Sequence, residues 1–311
     1  MAIKYELTPL TDRVRYLPGA QNIGVVVANN GSDCAIIDSG LTRDHGKAIL
    51  KTLATAGLRV RAILNTHSHA DHFGGNAYIV ESEQAVCVYA PPIEAATIEN
   101  PVLEPCGLFS GAWPPKSLFG HFLYAPASRV DVLAQPGKLA ITEIGTEIEV
   151  VALNGHCLRH SGYLVDGVLF AGDLVLSQAV IDKYKVLYCA AAAMHFETLA
   201  AMPTLVAESG LRLVLPAHVP PLATADFLAL CEANRASFDA ILAIIRPYLA
   251  AGPRSSEQVV QQVCNQLGLN TTTAEAYYLL NTTIMSLLSY LTNAGYRLSI
   301  VDNRPVWAQS S

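Results

Sequence analysis

Charge is scarce in this chain. Of its 311 residues only 15% are Asp, Glu, Lys or Arg, against 51% hydrophobic, and the formal net charge is -6. A chain so apolar buries a sizeable core, which excludes extended disorder. The slight negative charge gives no reason to expect polyanion binding across the whole surface. Long apolar runs are missing as well: none approaches the ~20 residues of a membrane-spanning helix. The opening MAIKYELTPL has no apolar stretch of the secretory kind. The seven cysteines (Cys34, Cys87, Cys106, Cys157, Cys189, Cys231 and Cys264) are odd in number and form no Cys-x-x-Cys pair. That fits free thiols in a reducing compartment, so a cytoplasmic protein without a disulfide framework is expected. There is no Gly-x-Ser-x-Gly elbow to present a serine nucleophile, and no internal repeat.

What is present alternates. The apolar runs 23–29 and 34–38, separated by Asn29-Asn30-Gly31, predict a β-hairpin. Helical spacing over 43–57 ends at Gly57, and Val60 to Asn65 reads as a strand. The pair Gly74-Gly75 leads into a second helix. Short strands are predicted at 146–152, 162–166, 168–171 and 211–215, with a helix over 195–208. Strand, helix, strand, loop, helix is an α/β pattern. Residues 100–128 carry five prolines among Phe109, Trp113, Phe119, Phe122 and Tyr124, and are expected to form an irregular apolar insertion, either a pocket wall or a loop folded on the core. From about 223 the chain reads as helical, closing on a hairpin from Tyr296 to Trp307 that turns at Asp302-Asn303. Two units are therefore expected, 1–228 and a small, mainly helical, winged-helix-like module at 229–311.

The chemistry concentrates in Asn65-Thr66-His67-Ser68-His69-Ala70-Asp71-His72-Phe73-Gly74-Gly75, directly after a predicted strand. Ligands of open α/β sheets lie at the carboxyl ends of strands. In a tight loop His67 and His69 can face one point while Asp71 and His72 face a second. Neutral imidazoles with a carboxylate suit Zn²⁺, and also Fe or Mn. The bland alternative, histidines capping a polar helix start, does not account for three histidines and an aspartate at these offsets.

The His-x-His-x-Asp-His segment followed by Gly-Gly resembles the metallo-β-lactamase superfamily, and further landmarks follow in that family's order. Asp38 in Ile-Ile-Asp-Ser-Gly is similar to an early Asp-x-Gly strand end. Leu153-Asn154-Gly155-His156, Phe170-Ala171-Gly172-Asp173 and Leu215-Pro216-Ala217-His218 are similar to the segments that complete its metal site. The resemblance implies an αββα sandwich over roughly 5–225 and two divalent cations, most simply Zn²⁺. His67, His69 and His156 would hold the first; Asp71, His72 and His218 the second; Asp173 would bridge. Asp38 and His160 would steady the ligands from behind. A hydroxide held between the cations would attack a carbonyl carbon, with Asp71 passing a proton.

Asp173 makes the chain more similar to the glyoxalase II-like branch than to antibiotic-degrading lactamases. Arg159 stands where that branch has glycine, which alters the pocket, and Cys157 reads as a small packing residue. Lys183, Tyr184, Lys185 and Tyr188 are candidates for substrate contact. Segment 231–311 has no lysine to match the family's glutathione-binding cations, so a lactone, ester or other acyl compound fits better than a glutathione thioester. An endoribonuclease of the same superfamily is the main rival. The five arginines and five acids of 231–311 cancel, leaving no basic stripe for phosphates. A mononuclear iron sulfur dioxygenase and a purely structural metal site are the remaining alternatives. The partner expected is a small molecule, with no membrane, and the C-terminal module would serve pairing into a homodimer or pocket closure. His45, His121 and His195 stand outside the ligand pattern.

Overall fold

The computed structural model describes residues 3–83 and 85–310. Two mixed sheets face each other. The first has strand order β1 (Thr8–Pro9), β2 (Val14–Leu17), β3 (Ile23–Val27), β4 (Asp33–Ile37), β5 (Arg59–Leu64), β6 (Cys87–Ala90) and β7 (Val132–Leu133). The second runs β8 (Gly137–Ile141), β9 (Thr146–Ala152), β10 (Ser161–Val165), β11 (Val168–Gly172), β12 (Leu213–Pro216) and β13 (Leu222–Ala223), with β13 and β8 at the edges. Pairing is antiparallel except along β4–β5–β6–β7 and β11–β12.

Side chains two apart along a strand share a face, and that rule sorts the core into layers. Val26, Ala35, Ile37 and Leu64 point inward to meet Val150, Tyr163, Phe170 and Leu215 from the other sheet. Their neighbours Val25, Val27, Ile36 and Ile63 point outward under helix α1 (Arg43–Thr55), Ile49 and Leu53 included. On the far side Leu164, Leu169 and Val214 pack against Leu199 and Met202 of a later helix. Sheets covered on both faces explain why β3, β10 and β11 are buried at every position rather than alternating. The expected αββα sandwich is therefore present.

After β5 the chain forms the short helices α2 (Ala70–Phe73) and α3 (Asn76–Ser82), so Gly74-Gly75 leads into a helix as expected and also separates it from the turn of helix before it. A Cβ at Gly74 would run into the Leu41 carbonyl, which is why this crossing needs glycine. The proline-rich stretch is less irregular than expected. Helix α4 (Glu94–Glu99) precedes it, α5 (Leu103–Leu108) lies within it, and a single 3₁₀ turn covers Lys116–Leu118.

Helices α6 (Gln178–Tyr184) and α7 (Ala192–Glu208) follow β11. The C-terminal part contains α8 (Thr224–Ala250), α9 (Ser256–Leu267), α10 (Ala274–Leu291) and the hairpin β14 (Tyr296–Val301) with β15 (Arg304–Gln309). Asp302 and Asn303 both have positive φ, 48° and 59°, as a two-residue hairpin turn requires. The sequence boundary at 228/229 falls inside α8, whose first turns pack in the sandwich through Phe227 and Cys231. Its later turns (Phe238, Ile241, Ile245) form a second core with α9, α10 and the α6–α7 segment. No helix among the described residues is long and apolar enough to cross a membrane.

Candidate metal centre

The strand ends build the site. Asp38 follows β4, residues 65–72 follow β5, His156 lies in the turn between β9 and β10, Asp173 follows β11, and His218 follows β12. All five segments open on one edge of the sandwich, so residues distant in sequence meet.

Two groups of ligand-type atoms result: His67, His69, His156 and Asp173, and beside it Asp71, His72 and His218. In the first, His69 Nδ1 lies 3.0 Å from both His67 Nε2 and His156 Nε2. Three imidazole nitrogens aimed at one point cannot satisfy one another, since each neutral ring offers one donor and one acceptor. In the second, His218 Nε2 is 3.3 Å from Asp71 Oδ2, and His72 Nε2 is 3.7 Å from it. Asp173, a member of the first group, also faces the second. Its Oδ1 lies 3.4 Å from His72 Nε2 and 3.3 Å from His218 Nε2, while Oδ2 lies 3.6 Å from His156 Nε2.

The donor chemistry fits divalent cations. His72 Nε2 and Asp173 Oδ1 are buried with no hydrogen-bond partner, an expensive state that a shared cation removes. Burial, with His72 and His69 close by, holds the His67 imidazole well below its usual pKa, and His156 is likewise depressed. Both are therefore neutral and ready to ligate.

The support behind the ligands is dense. Asp38 takes the Thr66 N–H at 2.8 Å, the Thr66 hydroxyl at 2.9 Å and His72 Nδ1 at 2.7 Å. Asn65 donates to the His72 carbonyl and accepts from Asn76, which in turn accepts from Ser39. His160 Nε2 accepts the Asp173 N–H at 3.2 Å, so this ring sets the backbone of the shared carboxylate. Gly172 makes that approach possible: its φ is +48°, and a Cβ there would collide with His160.

Two carboxylates in this neighbourhood escaped the sequence reading. Glu94, buried in the first turn of α4, accepts from Ser68 N and Oγ and from the Arg159 N–H. It thereby ties the His67–His72 loop to the loop carrying His156. Glu104, in the first turn of α5, faces His69 Nε2 at 4.0 Å. Neither stands out in the sequence: Glu94 lies in no assigned element and Glu104 in the stretch read as irregular, while in the structure both are acids at helix starts, which are favourable wherever they occur.

Of the four substrate-contact candidates, Tyr188 reaches the cluster, its ring centroid 5.1 Å from that of His69 and 5.5 Å from that of His156. Burial, with Glu104 beside it, pushes its phenol well above the usual range, so it stays a neutral donor. Lys183 and Tyr184 are exposed and pair with each other at 3.1 Å, while Lys185 donates to the Leu267 carbonyl at 2.6 Å. Cys157 is buried beside the cluster. The three histidines outside the ligand pattern stay outside the cluster: His45 bonds Thr42 at 2.9 Å, His121 is exposed beside Phe122, and His195 is buried against Phe238.

A histidine–aspartate cluster at the carboxyl edge of an αββα sandwich defines a metal-binding protein of the α/β class. The sequence profile of the metallo-beta-lactamase superfamily matches residues 16–218, and the chain belongs to that superfamily. A curated hydroxyacylglutathione hydrolase of Vibrio campbellii is 30% identical over 153 residues, covering 49% of this chain and 46% of that protein. The chain thus spans about half the length of the Vibrio relatives it matches. A hydroxyacylglutathione hydrolase of Dechloromonas aromatica is 25% identical over 239 residues, 77% of this chain and 74% of that protein. Among solved structures, a beta-lactamase domain protein from Burkholderia ambifaria superposes with a TM-score of 0.70 at 21% identity, covering 98% of this chain and 94% of that one. At that identity the likeness speaks for the fold alone.

Proposed function

We propose that the protein is a metal-dependent hydrolase working with two divalent cations, Zn²⁺ being the simplest fit, on a small acyl compound: a lactone, ester, thioester or amide. The observation that carries this reading is Asp173, whose two oxygens face different ligand groups. When bound, the cations would supply Lewis acidity toward the carbonyl and an activated water. The chain's own residues do the rest. Asp38, Glu94 and His160 hold the loops in register. Asp71, its side chain 25% exposed, faces solvent enough to carry a proton between the site and bulk water. Tyr188 walls the first group and offers a neutral hydroxyl. The relatives named above favour a thioester among the acyl classes. The pairing of Lys183 with Tyr184, and of Lys185 with the backbone, leaves none of these lysines turned to a glutathione carboxylate. An uncharged acyl compound is accordingly preferred.

The test is a metal count by plasma mass spectrometry on protein prepared with Zn²⁺, Fe²⁺ or Mn²⁺. Each preparation is assayed on a panel of a lactone, an aryl ester, a glutathione thioester and an amide, with a structured RNA and oxygen uptake alongside. About two ions per chain with carbonyl turnover is expected. One ion with oxygen uptake, or RNA cleavage without carbonyl turnover, would overturn the reading.

A further inference from the structure

Each imidazole in the cluster has a far nitrogen, and what it meets fixes the ring. His67 Nδ1 lies 3.0 Å from the Thr66 hydroxyl, His72 Nδ1 2.7 Å from Asp38, and His218 Nδ1 2.7 Å from the Ala20 carbonyl. His69 is turned the opposite way. Its Nδ1 joins the cluster, so Nε2 points outward, and the group facing it is Glu104 Oε1 at 4.0 Å. At that separation there is no hydrogen bond, only a carboxylate charge facing the ring nitrogen. Glu104 has no other ion pair and no hydrogen bond among the described residues, and its side chain is 19% exposed. A shielded carboxylate that accepts no hydrogen bond is costly unless a facing group uses its charge, and the ring nitrogen of His69 is placed to do so.

Glu104 is not carried by the sandwich. Helix α5 belongs to the proline-rich insertion, whose Leu108, Leu118 and Leu123 form a small core with Tyr188 and with Tyr278 of α10. Helix α10 also grips the strand of chain that bears Tyr188. Thr283 Oγ1 accepts the Cys189 N–H and donates to the Leu187 carbonyl, both at 3.0 Å, and Ser286 accepts the Ala192 N–H at 2.5 Å. The C-terminal helices thus set two groups around His69.

We propose that Glu104 is a positioning residue for the first metal. By attracting the Nε2–H of His69 it selects the tautomer whose Nδ1 is free to ligate, and it makes that nitrogen a stronger donor. The insertion and α10 then act on the metal centre through this carboxylate, so the C-terminal unit is part of the site and not an accessory. The inference rests on the two-cation reading above.

The experiment uses the full chain and Zn²⁺ alone. Wild type, Glu104→Gln and Glu104→Ala are titrated against a chromophoric chelator, Co²⁺-loaded spectra are recorded, and thermal midpoints of the metal-free proteins are measured. Glu104→Gln should lose roughly 10- to 100-fold in affinity for one of the two ions and shift that ion's Co²⁺ bands. The other ion and the metal-free midpoint should hold. If Glu104→Ala fails to fold, the near-isosteric glutamine variant carries the test. Unchanged affinities for both ions overturn the proposal, as does a raised KM with metal binding intact, which would make Glu104 a substrate contact. So does an affinity loss matched by a lower metal-free midpoint. A wild-type protein holding one ion refutes the two-cation reading itself, independently of the variants.

Discussion

Replacing Asp173 by asparagine keeps the shape of the side chain and removes one negative charge from between two ligand groups. Its oxygens lie 3.3 Å from His218 Nε2, 3.4 Å from His72 Nε2 and 3.6 Å from His156 Nε2, so no other residue of the cluster is placed to serve both. Two dications about 4 Å apart repel by roughly 16 kcal/mol at an effective dielectric of 20, before any compensation. The first ion to bind the variant still finds three protein ligands. The second must approach it without the intervening carboxylate. If only a fifth of the repulsion returns, the cost is about 3 kcal/mol, more than 100-fold in affinity. Turnover should fall at least ~100-fold, as for the loss of one strong electrostatic contributor. The variant should still fold, because the sandwich core is apolar and lies between the sheets, away from this edge. The assay is a Zn²⁺ titration paired with hydrolysis of whichever panel substrate turns over. A variant that holds two ions tightly and hydrolyses at the wild-type rate refutes the bridging role of Asp173.

Burial opposes charge on His72, but Asp71, Asp173 and Asp38 outweigh it and raise its pKa to about 10; Asp173 carries His218 up to about 12. Both are protonated in the metal-free protein at pH 7.5, so loading with Zn²⁺ should release close to two protons per chain, read by calorimetry in two buffers; release of none contradicts the ligand assignment. The same raised values mean that their contribution to metal-free stability is complete below the unfolded value near ~6.5 and is lost as pH climbs through about 10 for His72 and about 12 for His218, so the midpoint should fall over that window. Asp38→Asn puts an NH₂ where three donors now converge; metal affinity should drop about 10- to 100-fold by chelator competition, with a smaller loss of turnover than for Asp173→Asn. Glu94→Ala strands the Ser68 and Arg159 N–H groups, which should cost about 1–3 kcal/mol in denaturant unfolding; an unchanged midpoint would remove its clamping role.

The clustering of the candidate ligands was legible because coordination chemistry restricts residue type and the loops are short. His67, His69, Asp71 and His72 sit within one turn-rich segment, and the three later ligands each follow a recognisable strand. The sandwich was legible from its doubly covered strands, whose apolar runs have no other use. Glu94 and Glu104 were not. Nothing local distinguishes a helix-start acid in solvent from one aimed at a metal loop, and their partners at Ser68, Arg159 and His69 lie 26, 65 and 35 residues away. The edge strand β8 was missed because three of its five residues are exposed, which removes the apolar signal. The candidates from Lys183 to Tyr188 part company for a related reason: the sequence gives their order but not which way each side chain turns, and of the four Tyr188 alone turns to the cluster.

The boundary at 228/229 raises a sharper question, whether residues 229–311 are an addition to a finished domain. The packing says otherwise. Ile181, Leu187 and Phe196 precede that boundary, yet they are buried against Phe238, Ile241, Ile284 and Leu287. Asn234 of α8 reaches back to Leu176, accepting its N–H at 3.0 Å and donating to its carbonyl at 2.9 Å, which holds the chain just past Asp173. Exposing three large apolar side chains costs about 1.5–3 kcal/mol each. The sum, about 5–9 kcal/mol, is comparable with the whole stability of an ordinary domain. A chain ending at residue 228 should therefore be aggregated or loosely folded, and should not hold Zn²⁺ with wild-type affinity, because the supports for Tyr188, Glu104 and the Asp173 loop are removed together. Circular dichroism, sedimentation and Zn²⁺ titration of that fragment test this. A monomeric fragment that melts cooperatively and binds two ions as the full chain does would show that the sandwich completes the metal site alone, and that the C-terminal helices are dispensable to it.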